Sequence, residues 1–388
     1  MMENRNWKEI KLSSICDIIS SKTSIQNATL ENYISTENMI NDFGGVQNAE
    51  KLPTTNTVNA FEKNDILFSN IRTYFKKVWH AKFAGTVSQD VLTFRAKENV
   101  ISKFLYYTLC NPDFTEYTVL TSKGAKMPRG DKDAIRNFDI QLPPLPEQKA
   151  IASVLSSLDD KIDLLHQQNQ TLEALAETLF RQWLIEEAKE DWEEGKLEDL
   201  VLSANTGLDA IRRAPIVENY TGIKCLRIQD ISQNKTFDNW GNTEVKDSDF
   251  VKAQLKRGDI IMARTCSPGI LLHVQEDLNA VFNNGLARIR ANENSHPIFL
   301  KYLFKTNEFI NHIYGISDGT AVQLNMKLGD LLSYDLKIPP INCIEKFVEI
   351  VSEWDDKILS NQQQIQTLTQ LRDTLLPKLM SGEVRVKV

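Results

Sequence analysis

Cysteine is scarce and patternless in this 388-residue chain: Cys16, Cys110, Cys225, Cys266 and Cys343 are scattered, with no C-x-x-C pair. An odd, dispersed set reads as free thiols in a reducing compartment rather than as a disulfide framework. The five histidines are equally spread, so neither zinc nor haem nor any other metal is expected. No apolar run approaches the roughly 18 residues a membrane helix needs, and the opening MMENRNWKEI lacks the apolar core of a signal peptide. A cytoplasmic chain is the expectation. A G-x-x-x-x-G-K-[ST] loop for ATP is absent, and no spaced nuclease carboxylates stand out among the 52 acidic residues. No catalytic residue and no cofactor are expected.

What is present is globular: 41% apolar and 25% charged residues over a length that suggests two or three domains. The net charge of −7, taken as a sum, argues against nucleic acid. Its distribution removes that objection, because residues 147–200 alone carry −9 while 1–146 carry +2 and 201–340 carry +1. The acidic run from Glu186-Glu187 to Glu193-Glu194 reads as a solvated hinge, the alternative being a docking surface for a basic patch on a partner or an element that keeps DNA off the helices.

The chain is an imperfect tandem repeat. Residues 147–180 align with 343–376 at a fixed offset of 196 with 13 identities, where chance gives about 2 at ordinary residue frequencies. Asp159-Asp160-Lys161-Ile162 returns as Asp355-Asp356-Lys357-Ile358. Upstream, Trp7 with Lys11-Leu12 returns as Trp192 with Lys196-Leu197, and Leu142-Pro143-Pro144 as Ile338-Pro339-Pro340. Each block predicts strands, at Asp65–Phe68 and Val91–Phe94 or Asp259–Met262 and Leu286–Ile289. Helices follow around Phe104–Cys110 and Ile298–Tyr314, then a Gly-containing loop (Gly124, Gly319) and a last strand ending in the double proline.

After each block, apolar residues recur at spacings of four and three from Ile151 and from Phe347, the seam of a coiled coil. The prolines at 143, 144 and 146 mark the first helix start, and Pro377 is expected to end the second helix. One asparagine interrupts each seam, Asn169 at an a-type and Asn361 at a d-type position. In an antiparallel pair they would share one layer and fix register; the alternative is that both sit at a loosely packed or partner-facing position. The expected architecture is α+β, with two pseudo-symmetric α/β-mixed domains separated by a long antiparallel two-helix coiled coil. The boundaries are 1–145 for the first domain, 146–188 for the first helix, 189–340 for the second domain, 341–376 for the second helix and 377–388 for a tail.

The W-x-x-x-K-L openings, the L-P-P-L-P-E-Q run (Leu142–Gln148), the repeated D-D-K-I and the terminal L-P-K-L-M-S-G-E-V-R-V (Leu376–Val386) together resemble the specificity (S) subunits of bacterial type I restriction-modification systems. The second copy lacks the Glu-Gln pair, so Glu147 and Gln148 are not expected to be essential. The resemblance implies two target-recognition domains, each reading half of a split site on double-stranded DNA. It implies helices that set the spacing and dock two methyltransferase subunits, and, in complexes that cleave, an ATP-dependent restriction subunit. The sequence leaves open a related system with a fused methyltransferase-nuclease partner and a coiled-coil scaffold that binds no DNA.

Candidate DNA contacts follow from the ability of Lys and Arg to neutralise phosphates and of Arg and Asn to pair with base edges. In the first block these are Asn70, Arg72, Tyr74, Lys76 and Lys77, with Lys123, Lys126 and Arg129 on the Gly124 loop. In the second block they are Arg212, Arg213, Arg264, Thr265 and Thr320. Asn111-Pro112-Asp113-Phe114 resembles the tetrapeptide with which amino-methyltransferases hold a target base. Asp113 replaces its second proline and no glycine-rich S-adenosylmethionine loop precedes it, so a turn after a helix is expected.

Overall fold

The computed structural model describes residues 7–265, 267, 269–317 and 325–387. The chain divides into two compact units, one made of residues 1–166 and 362–388, the other of 167–361. Each unit therefore combines one globular block with part of both long helices.

In the first unit the strands are β1 (Lys8–Lys11), β2 (Cys16–Ile19), β3 (Ser21–Ser24), β4 (Tyr33–Ile34), β5 (Thr57–Phe61), β6 (Ile66–Ser69), β7 (Val78–His80), β8 (Gly85–Val87) and β9 (Val91–Ala96). Helices α1 (Ser102–Cys110), α2 (Pro112–Leu120) and α3 (Lys132–Arg136) follow, then β10 (Asp139–Leu142) and the long α4 (Leu145–Arg181). Strand β6 is buried at all four positions because both its faces are covered. Ile66 and Phe68 point to the core under α1, whereas Leu67 joins Phe61, Trp79 and Val87 on the opposite side. The sheet β2-β9-β6-β7 thus separates two apolar clusters. A second sheet runs β3-β5-β8-β4, and β1 pairs antiparallel with β10.

The second unit continues with β11 (Glu193–Lys196), β12 (Val201–Thr206), β13 (Ile216–Val217), β14 (Lys224–Leu226), α5 (Ile228–Ser232), β15 (Gly241–Thr243) and α6 (Asp247–Ala253). Strands β16 (Ile260–Ala263), β17 (Leu271–His273), β18 (Ala280–Phe282) and β19 (Leu286–Ala291) precede α7 (Pro297–Leu303), α8 (Asn307–Ile316), α9 (Leu328–Leu332), β20 (Asp335–Ile338) and α10 (Ile341–Ser381). Its sheet β12-β19-β16-β17 and its pair β11-β20 repeat the first unit strand for strand. Again Ile260 and Met262 face one cluster, and Ile261 and Ala263 the other. The remaining sheets differ. Both keep one parallel pair, β4 with β8 and β14 with β18, but the antiparallel neighbour β5 joins β8 in the first unit while β15 joins β14 in the second.

The long helices run antiparallel within each unit. In the first, Ile151 and Leu155 of α4 pack with Leu376, Leu379 and Met380 of α10. In the second, Ala176 and Phe180 meet Phe347 and Val351, with the Phe180 and Phe347 rings 5.4 Å apart and edge-on. The acidic residues Glu193 and Glu194 lie in β11 rather than in a hinge.

Three local expectations are corrected. Pro377 sits inside α10, which continues to Ser381; packing of Leu376, Leu379 and Met380 in the first unit's core holds the last turn despite the lost backbone bond. The helix expected over Ile298–Tyr314 is two helices, because Thr306 stops the first and caps the second by accepting from Phe309 N at 3.3 Å. Asn111-Pro112-Asp113-Phe114 is likewise a helix start, not a turn: Pro112 occupies the first position of α2, and Phe114 is fully buried.

Candidate nucleic-acid interface

In the first unit, the two stretches singled out by their charge come together. The loop after β6 turns twice through the left-handed region, at Arg72 (φ 50°) and Lys76 (φ 52°). Its backbone is then locked to the Gly124 loop: Arg72 N donates to Pro128 O at 2.8 Å, and Gly130 N donates to Asn70 O at 3.0 Å. The turn before β9 completes the cradle, since Asn70 N donates to Asp90 O at 2.8 Å. Three segments far apart in sequence therefore share one rim.

On that rim Tyr74, Lys123, Lys126 and Arg129 are exposed, and Arg72 and Lys76 partly so. Lys76 lies 3.7 Å from Asp42, Lys123 pairs with Asp131, and Arg129 Nη2 meets Asp90 Oδ1 at 2.9 Å. Two residues are placed differently from the expectation. Asn70 is buried, with Nδ2 donating to Gly130 O at 3.1 Å, so it braces the cradle instead of offering an amide to a base. Lys77 Nζ donates to Thr36 O at 2.6 Å, and burial lowers its pKa.

The second unit builds the same cradle from the equivalent segments. Arg264 N donates to Gly285 O at 3.0 Å, Met326 N donates to Arg264 O at 2.8 Å, and Thr265 bridges to Asn325. The side chains differ. The Arg264 guanidinium donates to Met326 O, Asn284 O and Asn325 Oδ1 at 3.1–3.2 Å, so it is turned largely toward the protein. Arg212 is exposed on a turn after Leu208, whose carbonyl accepts from Asn284 N at 2.8 Å. Arg213 is held by Asp249 through two bonds, of 3.0 and 2.5 Å, and tethers that turn to α6. Thr320 lies outside the described residues.

The sequence motifs that carry no base-reading chemistry fix the blocks to the helices. The first aspartate of each D-D-K-I accepts a tyrosine hydroxyl from the block's own helix, Tyr107 to Asp159 at 2.6 Å and Tyr302 to Asp355 at 3.0 Å. The counter-charge differs: Arg372 of α10 meets Asp159 at 3.0 Å, while Lys301 of α7 meets Asp355 at 2.8 Å. Asn361 is fully buried and donates to Asn169 Oδ1 at 2.8 Å and Gln168 Oε1 at 2.9 Å. Glu147, discounted from the sequence, is a buried hub. It accepts from Trp7 Nε1 at 2.8 Å and from the Arg385 guanidinium at 2.5 and 2.9 Å. Gln148 is buried too, bonded to Ile101 N and Pro143 O.

Among the described residues no group of three or more His, Cys, Asp or Glu could hold a metal ion, and no helix is long and apolar enough to cross a membrane. Residues 4–174 and 189–370 match the family model described as the type I restriction modification DNA specificity domain. Among relatives, the specificity subunit of type I restriction enzyme MjaIX of Methanocaldococcus jannaschii is 28% identical over 371 residues, covering 87% of this chain and 82% of that one. The specificity subunit of the HindI enzyme of Haemophilus influenzae is 22% identical over 466 residues, covering 98% and 100%. The crystal structure of the type I restriction-modification S subunit from M. genitalium matches with a TM-score of 0.59 at 18% identity, over 98% of this chain and 97% of that one, a likeness of fold.

Proposed function

The chain belongs to the type I restriction modification DNA specificity family, and we propose that each of its two target-recognition units reads one half of a split site on double-stranded DNA in the cytoplasm. The duplicated cradle carries this reading: one backbone scaffold, built twice from the same three segments, bears different side chains on its rim. A scaffold kept while its polar surface changes suits two half-sites of different sequence. Arg72, Tyr74, Lys76, Lys123, Lys126 and Arg129 face the first half. Arg212, Arg264 and Thr265 face the second, with Thr320 assigned from sequence alone. Asn70, Lys77 and Arg213 brace them. The long helices fix the gap between half-sites and dock two methyltransferase subunits, which modify adenine, and a restriction subunit in complexes that cleave.

The test is to map modified adenines in cells carrying the methyltransferase partner, with and without this chain. A split motif that vanishes with the chain is expected; an identical map in both would overturn the reading. Binding of the assembled complex to the mapped duplex should weaken steeply with salt, since each neutralised phosphate contributes about −0.9 to the logarithmic slope.

A further inference from the structure

Arg129 is held by its backbone on both sides and by an ion pair at its side chain. Its backbone exchanges two hydrogen bonds with Lys123, at 2.8 and 2.9 Å, and bridges to Ile71 on the other side. The next residue, Gly130, is clamped by Asn70 from both its N–H and its carbonyl. A side chain at 130 would meet Asn70 Oδ1 at 2.7 Å, so the close approach needs glycine. Asp90 then takes one guanidinium nitrogen, Nη2, at 2.9 Å. The arginine side chain is still 58% exposed, leaving most of the fork open to solvent.

So exposed an ion pair contributes little to folding. It does orient a planar, always-charged fork in advance, which spares rotamer entropy when a partner binds. A base edge offering two acceptors in one plane matches that fork; guanine, with O6 and N7 in the major groove, is such an edge. The second unit has no such arginine at this place: Gly285 stands where Asp90 does and Asn325 where Arg129 does, while Arg264 spends its guanidinium on three protein oxygens.

We propose that Arg129 reads a guanine in the half-site of the first unit, with Asp90 as the residue that positions it. This rests on the DNA-reading function proposed above. The experiment maps the methylated motif, and the discrimination at each base, for the full chain assembled with its methyltransferase partner, in the wild type and in R129A, R129Q, D90N, D90E and R264A. For R129A and R129Q the expected result is loss of about 5- to 150-fold preference for guanine at one position of one half-site, with the other half unchanged. D90N should relax the same position less, D90E should restore it, and R264A should leave that half-site intact. An unchanged motif in folded R129Q and D90N, or a loss of affinity uniform over all sequences, would overturn the assignment. Should R129A fail to fold, D90N and R129Q still decide it. A wild-type complex that imposes no motif at all would instead remove the DNA-reading function itself.

Discussion

At the scale of single residues, the two units solve one electrostatic problem differently. Asp159 and Asp355 sit at the same repeat position and each accepts a tyrosine hydroxyl, from Tyr107 and Tyr302 respectively. Arg372 neutralises the first from the opposite helix, whereas Lys301 neutralises the second from the block itself. His273 lies 4.0 Å from Asp355, but burial and the Lys301 charge push its pKa down to about 4, so at neutral pH it carries no charge. Lys301, only 7% exposed, is therefore the sole cation bonded to Asp355 among the described residues. Removing one member of such a buried pair strands the other. Asp355→Ala should destabilise the second unit by about 3–5 kcal/mol, because breaking a buried pair leaves an uncompensated charge. Adding Lys301→Met should recover a kcal/mol or more. Urea unfolding followed by hydrogen exchange in α7 measures both, and a single-variant loss below about 1 kcal/mol would mean the pair is well solvated.

At the scale of elements, the helix pair shows what sequence periodicity can and cannot reveal. The seam alternation gave both helices and the meeting of Asn169 with Asn361, because a 3.5-residue repeat fixes which side chains share a layer. The repeat itself was legible because helices tolerate few insertions and so kept one offset. The break at Thr306 and the helix start at Pro112 were not: short helices carry few apolar repeats, and capping residues also read as turns. The different neighbours of β4–β8 and β14–β18 left no trace either, since two- and three-residue strands carry almost no pattern. If the asparagine layer sets register, replacing both Asn169 and Asn361 by leucine should raise the melting temperature of the second unit by a few degrees, roughly what 1–2 kcal/mol gives at this size. It should also permit cysteine cross-links between α4 and α10 shifted from the native pairing. A double variant that melts higher but cross-links only at native pairs would assign the layer no part in register.

At the scale of the whole molecule, chain ends matter in a way that neither block discloses alone. Trp7, Glu147 and Arg385 are separated by 140 and 238 residues, and no local pattern could have joined them. Yet the tail after α10 returns to the first unit: the Arg385 guanidinium lies 5.7 Å over the Trp7 ring and pairs with Glu147, and Gly382, at φ 72°, lets the backbone pass close to the indole. The second copy has Cys343 where the first has Glu147, so this clamp belongs to the first unit. Glu147 is 4% exposed with the tail in place, and deleting 382–388 removes its Arg385 partner and leaves it, among the described residues, the Trp7 N–H, costing on the order of 2 kcal/mol or more, less whatever the opened site regains from water. Hydrogen exchange should quicken in β1, β10 and the start of α4 while β11–β20 stay protected. Glu147→Gln should partly restore the truncated chain, because a neutral amide oxygen can still accept from Trp7 without a buried charge, whereas in the full-length chain the same change should be destabilising by removing the pair with Arg385. Equal loosening of both units on truncation, or no rescue by Glu147→Gln, would remove the clamp as the cause. A transplanted first block covering 1–145 should, by the same physics, fold on this helix pair only if it brings a tryptophan to position 7 and a tyrosine to position 107, since Glu147, Asp159 and Arg385 all stay behind in the recipient.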